Sequence, residues 1–312
     1  MLKRITLAAF LLLSLQLQLL GQTPQAISIP GELIQNLEKS SNTCNYAGTV
    51  RVGPVIGQSN DFDDILPYFL CLGDTLQIRH DRNEDLDMDP DPSTPNGITY
   101  AFYTCNPASN GIDGPDLATI IAKDSCLLDN PPPANGLIYV ASEGDINGNV
   151  DFFNDGNLQQ FFNNDEPMVV WFAPITIDNF ADKAYEQAAS GEPFGPCVNV
   201  NISEAFSVVY LNGIEASYIN TMPSPTGCQA EFVITGGYPE FNTGATYNAT
   251  ITLRSDPSVS LNTTIPNHAD TFRFSVTVPG IYDVIIEDGK SCGASFEMDM
   301  TGCKLVNFSM PI

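Results

Sequence analysis

The stretch Phe272-Arg-Phe-Ser-Val-Thr-Val278 alternates apolar and polar side chains without a break. Successive side chains of a β-strand point to opposite faces, so this period of two places one set against a core and the other in water. The same alternation, or a short apolar run, occurs in Thr246–Arg254, Ser295–Met300, Phe232–Thr235 and Tyr282–Ile286. Short strands at this spacing, separated by turn residues, predict an immunoglobulin-like β-sandwich over residues 228–304.

Residues 44–214 predict a second, loop-rich β domain. Apolar runs typical of strands alternate with turn pairs such as Asn96-Gly97 and Asn147-Gly148. The expected strands are Thr75–Ile78, Thr99–Tyr103, Leu137–Ala141, Met168–Phe172 and Phe206–Leu211. Short helices are expected at Asn157–Asn163 and Ala181–Ala189. The predicted fold class is therefore all-β, with an irregular β-sandwich-like N-terminal module with long loops followed by the immunoglobulin-like β-sandwich.

The segments around the two domains are assigned from composition. Residues 215–227 contain Pro223, Ser224, Pro225 and Gly227, which are typical of turns and predict a linker. Residues 23–43 form a lead-in segment, and residues 305–312 form a tail.

The first 22 residues have the order of a secretory signal peptide. Lys3 and Arg4 precede an apolar run that ends at Leu20, and small or polar residues follow from Gly21. This run is too short and too interrupted to span a bilayer stably, so no direct membrane insertion is expected. The prediction is an exported protein, located outside the cell or on the outer cell surface.

Eight cysteines are then read as disulfide candidates, because an exported chain meets an oxidising environment. None of them has the CxxC spacing of a zinc ribbon. Local pairing is preferred: Cys44 with Cys71, Cys105 with Cys126, and Cys228 with Cys292 or Cys303. Cys197 is left to pair with whichever of the last two remains, or to bridge the domains.

The formal net charge of −25 argues against nucleic-acid partners, because it repels phosphates. The sequence lacks the GxSxG and HExxH motifs of common hydrolases and metalloproteases. Its two histidines, His80 and His268, are read as surface residues, because no nucleophile motif accompanies them. No residue is predicted to be catalytic.

Two acidic loops predict structural calcium. Asp145-Ile-Asn147-Gly-Asn149-Val-Asp151 places oxygen atoms at every second residue, and Ca²⁺ prefers about six to eight oxygen ligands. In the acidic run from Asp81 to Asp91 the carboxylates repel one another unless a cation neutralises them. The predicted ligands of this run are Asp85, Asp87, Asp89 and Asp91. The alternatives are an Asn/Asp-rich turn for the first loop and a solvated acidic loop for the second.

Two motifs carry a family resemblance. Phe232-Val-Ile-Thr-Gly-Gly-Tyr-Pro239 and Val278-Pro-Gly-Ile-Tyr-Asp-Val-Ile-Ile-Glu-Asp-Gly-Lys-Ser-Cys292 resemble the SprB-type and PKD-like repeats of gliding-motility-associated surface proteins of Bacteroidota. Such repeats have a Gly-Gly-x-Pro turn, a Gly-x-Tyr-x-Val strand and an Asp-x-x-x-Cys turn. The matching positions are Gly236, Gly237, Pro239, Gly280, Tyr282, Val284, Asp288 and Cys292. The resemblance implies surface location, adhesion or an association with motility.

The predicted function is that of a non-enzymatic secreted or cell-surface protein in adhesion or surface assembly, with surface glycans or other cell-surface proteins as partners. The alternative is a carbohydrate-binding or carbohydrate-degrading module with an accessory immunoglobulin-like domain. A cleft holding Trp171 and two acids would favour that alternative. A third possibility is the N-terminal piece of a longer adhesin.

Overall fold

The computed structural model describes residues 24–28, 45–59, 66–86, 94–107, 126, 137–158, 167–183, 199–224 and 227–302. These residues form two compact units, and the boundary between them in the sequence lies between Tyr210 and Leu211. A short segment that begins at Gly57 also belongs to the second unit. Regular structure in the described ranges is almost entirely β-strand, which confirms the all-β class. The predicted signal peptide and tail lie outside these ranges. Among the described residues, no helix is long and apolar enough to cross a membrane.

The described part of the first unit contains two sheets. Its strands are β1 Pro24–Ser28, β2 Val50–Ile56, β3 Tyr68–Leu70, β4 Thr75–His80, β5 Gly97–Tyr103, β6 Leu137–Ala141, β7 Val150–Phe153, β8 Met168–Ile177 and β9 Phe206–Tyr210. The larger sheet has the order β1-β6-β5-β8-β9-β3, and the smaller has the order β2-β4-β7. Neighbouring strands are antiparallel except for β3 and β9, which are parallel.

An aromatic core joins the two sheets of the first unit. Leu76 and Ile78 are buried on alternate positions of β4, whereas all of β5 is buried. The ring of Phe152 on β7 lies 4.3 Å from that of Phe172 on β8 and 5.9 Å from that of Phe206 on β9. Such pairs add about 0.5–1.5 kcal/mol each beyond their buried area. The core confirms a sandwich-like first domain.

All five strands expected in the first domain are present as β4, β5, β6, β8 and β9. Strand β2 was missed because Gly53 and Pro54 interrupt it. The pairing of β2 with β4 shifts register between Val52 and Val55, and proline is tolerated at such irregular edges. The expected helices at Asn157–Asn163 and Ala181–Ala189 extend beyond the described residues.

The second unit is a sandwich of two antiparallel sheets. Its strands are β10 Glu215–Ser224, β11 Gly227–Thr235, β12 Tyr247–Leu253, β13 Ser260–Ile265, β14 Thr271–Val276, β15 Ile281–Asp288 and β16 Gly293–Asp299, with a one-turn helix α1 at Tyr238–Phe241. The sheets have the orders β10-β11-β14 and β13-β12-β15-β16. Strand β13, the fourth strand of this unit, lies in the four-stranded sheet with β12, β15 and β16. In a constant-type immunoglobulin domain the fourth strand lies in the other sheet, with the first, second and fifth strands. This order confirms an immunoglobulin-like β-sandwich.

The linker expected at residues 215–227 is wrong for the described part of that segment. Strand β10 and the start of β11 occupy it, paired from Glu215 with Thr235 to Ser224 with Gly227. Pro223 suggested a break in structure. Proline is tolerated there because β10 is an edge strand of its sheet, and on its open side no neighbouring strand needs a hydrogen bond from a backbone N–H.

One buried carboxylate, Asp288, ties two loops of the sandwich together. Its Oδ2 accepts a hydrogen bond from the backbone N–H of Tyr238 at 2.6 Å, and its Oδ1 accepts those of Lys290 at 2.8 Å and Cys292 at 3.0 Å. Its burial raises the pKa of Asp288, although these hydrogen bonds oppose the shift. The Gly-Gly-x-Pro turn and the Asp-x-x-x-Cys turn noted in the sequence therefore meet at one side chain.

A second corner lies at the start of β15. The hydroxyl of Tyr282 donates a hydrogen bond to the carbonyl of Val278 at 2.5 Å. A tyrosine that reaches back to the preceding backbone in this way is the tyrosine corner of immunoglobulin-like sandwiches.

The predicted pairing of Cys105 with Cys126 is confirmed, with their Cα atoms 4.9 Å apart. Cys71, Cys228 and Cys292 also form disulfide bonds, and no cysteine is free among the described residues. Cys44, Cys197 and Cys303 lie outside the described ranges.

Candidate functional site

The loop that connects β6 to β7 is built around Asp145. Its Oδ1 accepts the backbone N–H groups of Asn147 at 2.9 Å and Asn149 at 3.0 Å. Its Oδ2 accepts the side-chain amide of Asn149 at 2.8 Å. Although partial burial raises the pKa of Asp145, these hydrogen bonds outweigh it and hold the pKa below the ordinary value. The carboxylate thus shapes the loop as an Asx turn does.

The remaining predicted ligands of this loop point to other partners. The side-chain oxygen Oδ1 of Asn149 accepts the backbone N–H of His80 at 3.1 Å, and the backbone of Asn147 forms an isolated β-bridge with Ile98. Asp151 lies on β7 and pairs with Arg79 on the neighbouring β4 at 2.6 Å. The structure therefore brings Asp145 and Asn149 together and directs Asp151 to an arginine.

Of the second predicted calcium loop, only the first part is described. The backbone of Asp85 exchanges hydrogen bonds with that of Tyr46, and Asp81 pairs with Arg51. Asp87, Asp89 and Asp91 lie outside the described residues. Across the ranges that the structure does describe, no three His, Cys, Asp or Glu side chains are grouped to hold a metal.

A cleft of about 350 Å³ lies beside the β6–β7 loop, lined by Arg79, Glu143, Gly144, Asn149, Val150 and Asp151. Glu143 is the feature that sequence reasoning missed. Its Oε2 is buried and, among the described residues, has no hydrogen-bond partner. An unsatisfied buried acceptor of this kind costs free energy, about 1–3 kcal/mol, so it is uncommon in folded proteins.

The charges near Glu143 perturb one another. Burial raises the pKa of Glu143, whereas hydrogen bonds from the Ser142 side chain and the Glu143 backbone oppose the shift; Asp155 adds to it and Lys183 opposes it. Burial lowers the pKa of Lys183 to about 8, although Glu143 acts against it. The ammonium of Lys183 donates to the carbonyl of Phe180 at 3.1 Å and sits 3.0 Å from the centre of the Phe180 ring. Perturbed groups around a cleft mark it as a candidate site.

The cleft presents hydrogen-bond donors and acceptors together. Arg79 supplies guanidinium N–H groups, whereas Glu143 and Asp151 supply carboxylate oxygens, and Gly144 lets the loop backbone form part of the wall. This combination can bind a polar ligand. Arg79 and Glu143 gave no signal in the sequence, because single charged residues 64 positions apart form no motif.

The aromatic and histidine residues singled out from the sequence lie elsewhere. Trp171 is half-buried on β8, between Tyr103 and Ser207 in the sheet register, and does not line the cleft. His80 is buried, which corrects its reading as a surface residue, and its Nε2 lies 2.7 Å from the carbonyl of Ala47. His268 lies 3.4 Å from the Tyr247 hydroxyl in the second unit.

No protein-family model matches the chain, and no curated protein matches it. Among solved structures, the chain is similar to the chicken CNTN1 FN1-FN3 domains, at 7% sequence identity and a TM-score of 0.24. The match covers 74% of this chain and 64% of that one. The description of the second unit as an immunoglobulin-like sandwich is therefore based on its own strand order and register.

Proposed function

We propose that this chain is a non-enzymatic secreted or cell-surface protein that works in adhesion or surface assembly. The observation that carries the proposal is the second unit, a sandwich of three and four strands whose loops are tied down at Asp288 and Tyr282. Such a sandwich is a rigid module that many cell-surface proteins share. Because fold alone does not fix activity, the experiments below test function directly.

Export is part of the proposal. The charged and apolar leader in residues 1–22 has the order of a signal peptide. Disulfide bonds at Cys71, Cys105, Cys126, Cys228 and Cys292 suit an oxidising compartment. N-terminal sequencing of protein recovered outside the cell should find a chain that starts close to residue 23. An intact leader on protein retained in the cytoplasm would contradict export.

The proposed partners are surface glycans or other cell-surface proteins, in agreement with the resemblance to SprB-type and PKD-like repeats. The acidic loops are proposed to bind structural calcium that makes these loops more rigid. Beads coated with the mature chain should attach to producing cells in a saturable manner, and excess free protein should compete. Absent attachment, or turnover of a polysaccharide by the purified chain, would refute a purely adhesive role.

A further inference from the structure

We propose that the cleft beside the β6–β7 loop binds a neutral saccharide, and that Glu143 Oε2 accepts a hydrogen bond from one of its hydroxyl groups. The inference rests on the proposed function, because it assigns a place and a ligand class to the proposed glycan partner. It concerns the first unit alone, where all the lining residues lie.

The first step is the unpaired acceptor. Glu143 Oε2 is buried and has no hydrogen-bond partner among the described residues, although it lines an open cleft. A folded chain gains nothing from leaving such an oxygen unsatisfied. Because Glu143 lines the cleft, a rotation of its side chain would turn this oxygen toward a hydroxyl of a bound ligand, which would supply the missing donor.

The second step is a hydrogen-bond donor that lines the same cleft. Every hydrogen bond that Arg79 makes within the described residues uses Nη1, which contacts the carbonyls of Ile78 and Val150 and the carboxylate of Asp151. A guanidinium carries five N–H donors, so Nε and Nη2 remain for a ligand. The Arg79 side chain is 40% exposed, which leaves that edge within reach.

The third step is the balance of charge. An anion would meet the carboxylates of Glu143 and Asp151, whereas a cation would find Asp151 already paired with Arg79 at 2.6 Å. A hydroxyl group donates to a carboxylate and accepts from a guanidinium, so a polyhydroxyl ligand satisfies both without a net charge. The volume of about 350 Å³ lies at the lower end of small-molecule pockets, about 300–1,000 Å³.

The test measures binding of methyl glycosides of glucose, galactose, mannose and N-acetylglucosamine to the full mature chain by saturation-transfer NMR. Acetate and methylammonium serve as charged probes. We expect at least one glycoside to bind, and Glu143→Gln to weaken it about tenfold or more. Glu287→Gln is the matched control, because it makes the same chemical change on an exposed strand position of the second unit and should leave binding unchanged.

Folding is checked separately. Glu143→Gln removes a buried charge while keeping the shape of the side chain, so its melting temperature should equal or exceed that of the wild type. Absent binding of all four glycosides, equal binding by the Glu143→Gln variant, or preferential binding of acetate or methylammonium would overturn the assignment. If the wild-type chain binds none of the glycosides but beads coated with the Glu143→Gln variant still attach to cells, the adhesion proposal stands and only the assignment of this cleft is wrong.

Discussion

Replacing Asp288 with alanine should remove the hydrogen bonds that join two loops of the sandwich. The carboxylate accepts three backbone N–H groups, from Tyr238, Lys290 and Cys292. Cys292 is buried, whereas Tyr238 and Lys290 are both half-buried. Three lost hydrogen bonds at about 1 kcal/mol each predict a loss of about 3 kcal/mol in the unfolding free energy of the second unit.

Hydrogen exchange followed by mass spectrometry can locate this loss in the full chain. Peptides that cover β11 and β15 should exchange roughly 150-fold faster in Asp288→Ala than in the wild type, since each 1.4 kcal/mol is tenfold. The single tryptophan, Trp171, belongs to the first unit, so its fluorescence transition in urea should stay unchanged. Asp288→Asn keeps one acceptor oxygen and should lose about half as much stability.

Asp256 provides the matched control. It also accepts a backbone N–H, that of Ser258 at 3.1 Å, but in an exposed turn where water can replace the carboxylate. Asp256→Ala should therefore cost only about 0.5 kcal/mol. If Asp288→Ala costs no more than this control, the carboxylate does not hold the loops and the reasoning fails.

Three further outcomes are expected. Gly236→Ala should destabilise the second unit by about 3 kcal/mol or more in hydrogen-exchange experiments, because the new Cβ would lie 1.9 Å from the carbonyl oxygen of Gly213 at a φ of +82°. Gly73→Ala, at a φ of +91° with open space around it, should cost only the conformational strain of about 1–2 kcal/mol. Equal losses of stability in the two variants would refute the steric argument. Burial lowers the pKa of Lys183 to about 8, so between that pH and the higher pKa of an unfolded lysine the unfolded chain binds more protons and the stability of the first unit should rise with pH. Urea unfolding followed by Trp171 fluorescence should detect this rise in stability between pH 8 and 10. If the same rise persists in Lys183→Met, Lys183 is not its cause. For calcium, the mature chain should melt several degrees higher in millimolar Ca²⁺ than in EDTA, since a ligand at 100 times its dissociation constant adds about 2.7 kcal/mol; the rise should shrink when Asp87 and Asp89 are replaced, and an unchanged melting curve would contradict calcium bracing.

The sequence predicted those strands whose two faces differ in polarity. Strand β12 alternates buried and solvent-facing residues along its length, and its period of two was visible in the sequence. Strand β13 was missed, because in Ser-Leu-Asn-Thr-Thr-Ile only the last residue, Ile265, is buried. An edge strand with both faces near water has no apolar period to detect.

The candidate cleft could be predicted only in part, for a similar reason. Asn149 and Asp151 were noted because they recur at short spacing, whereas Arg79 reaches the cleft through the pairing of β4 with β7. Pairing of this kind depends on strand register, which local sequence specifies only weakly when a strand is short. Glu143 was missed because what distinguishes it is its burial and not its neighbours in the sequence.

The β6–β7 loop also shows how a pattern of alternating oxygens divides between a turn and a strand. The pattern from Asp145 to Asp151 crosses from a turn into strand β7, which begins at Val150. In the turn, backbone N–H groups converge on Asp145 and satisfy its carboxylate. In the strand, the side chain follows the pleat, and Asp151 meets an arginine on the next strand. Which of these oxygens face one another therefore depends on where the turn ends and strand β7 begins, and the spacing in the sequence does not contain that boundary.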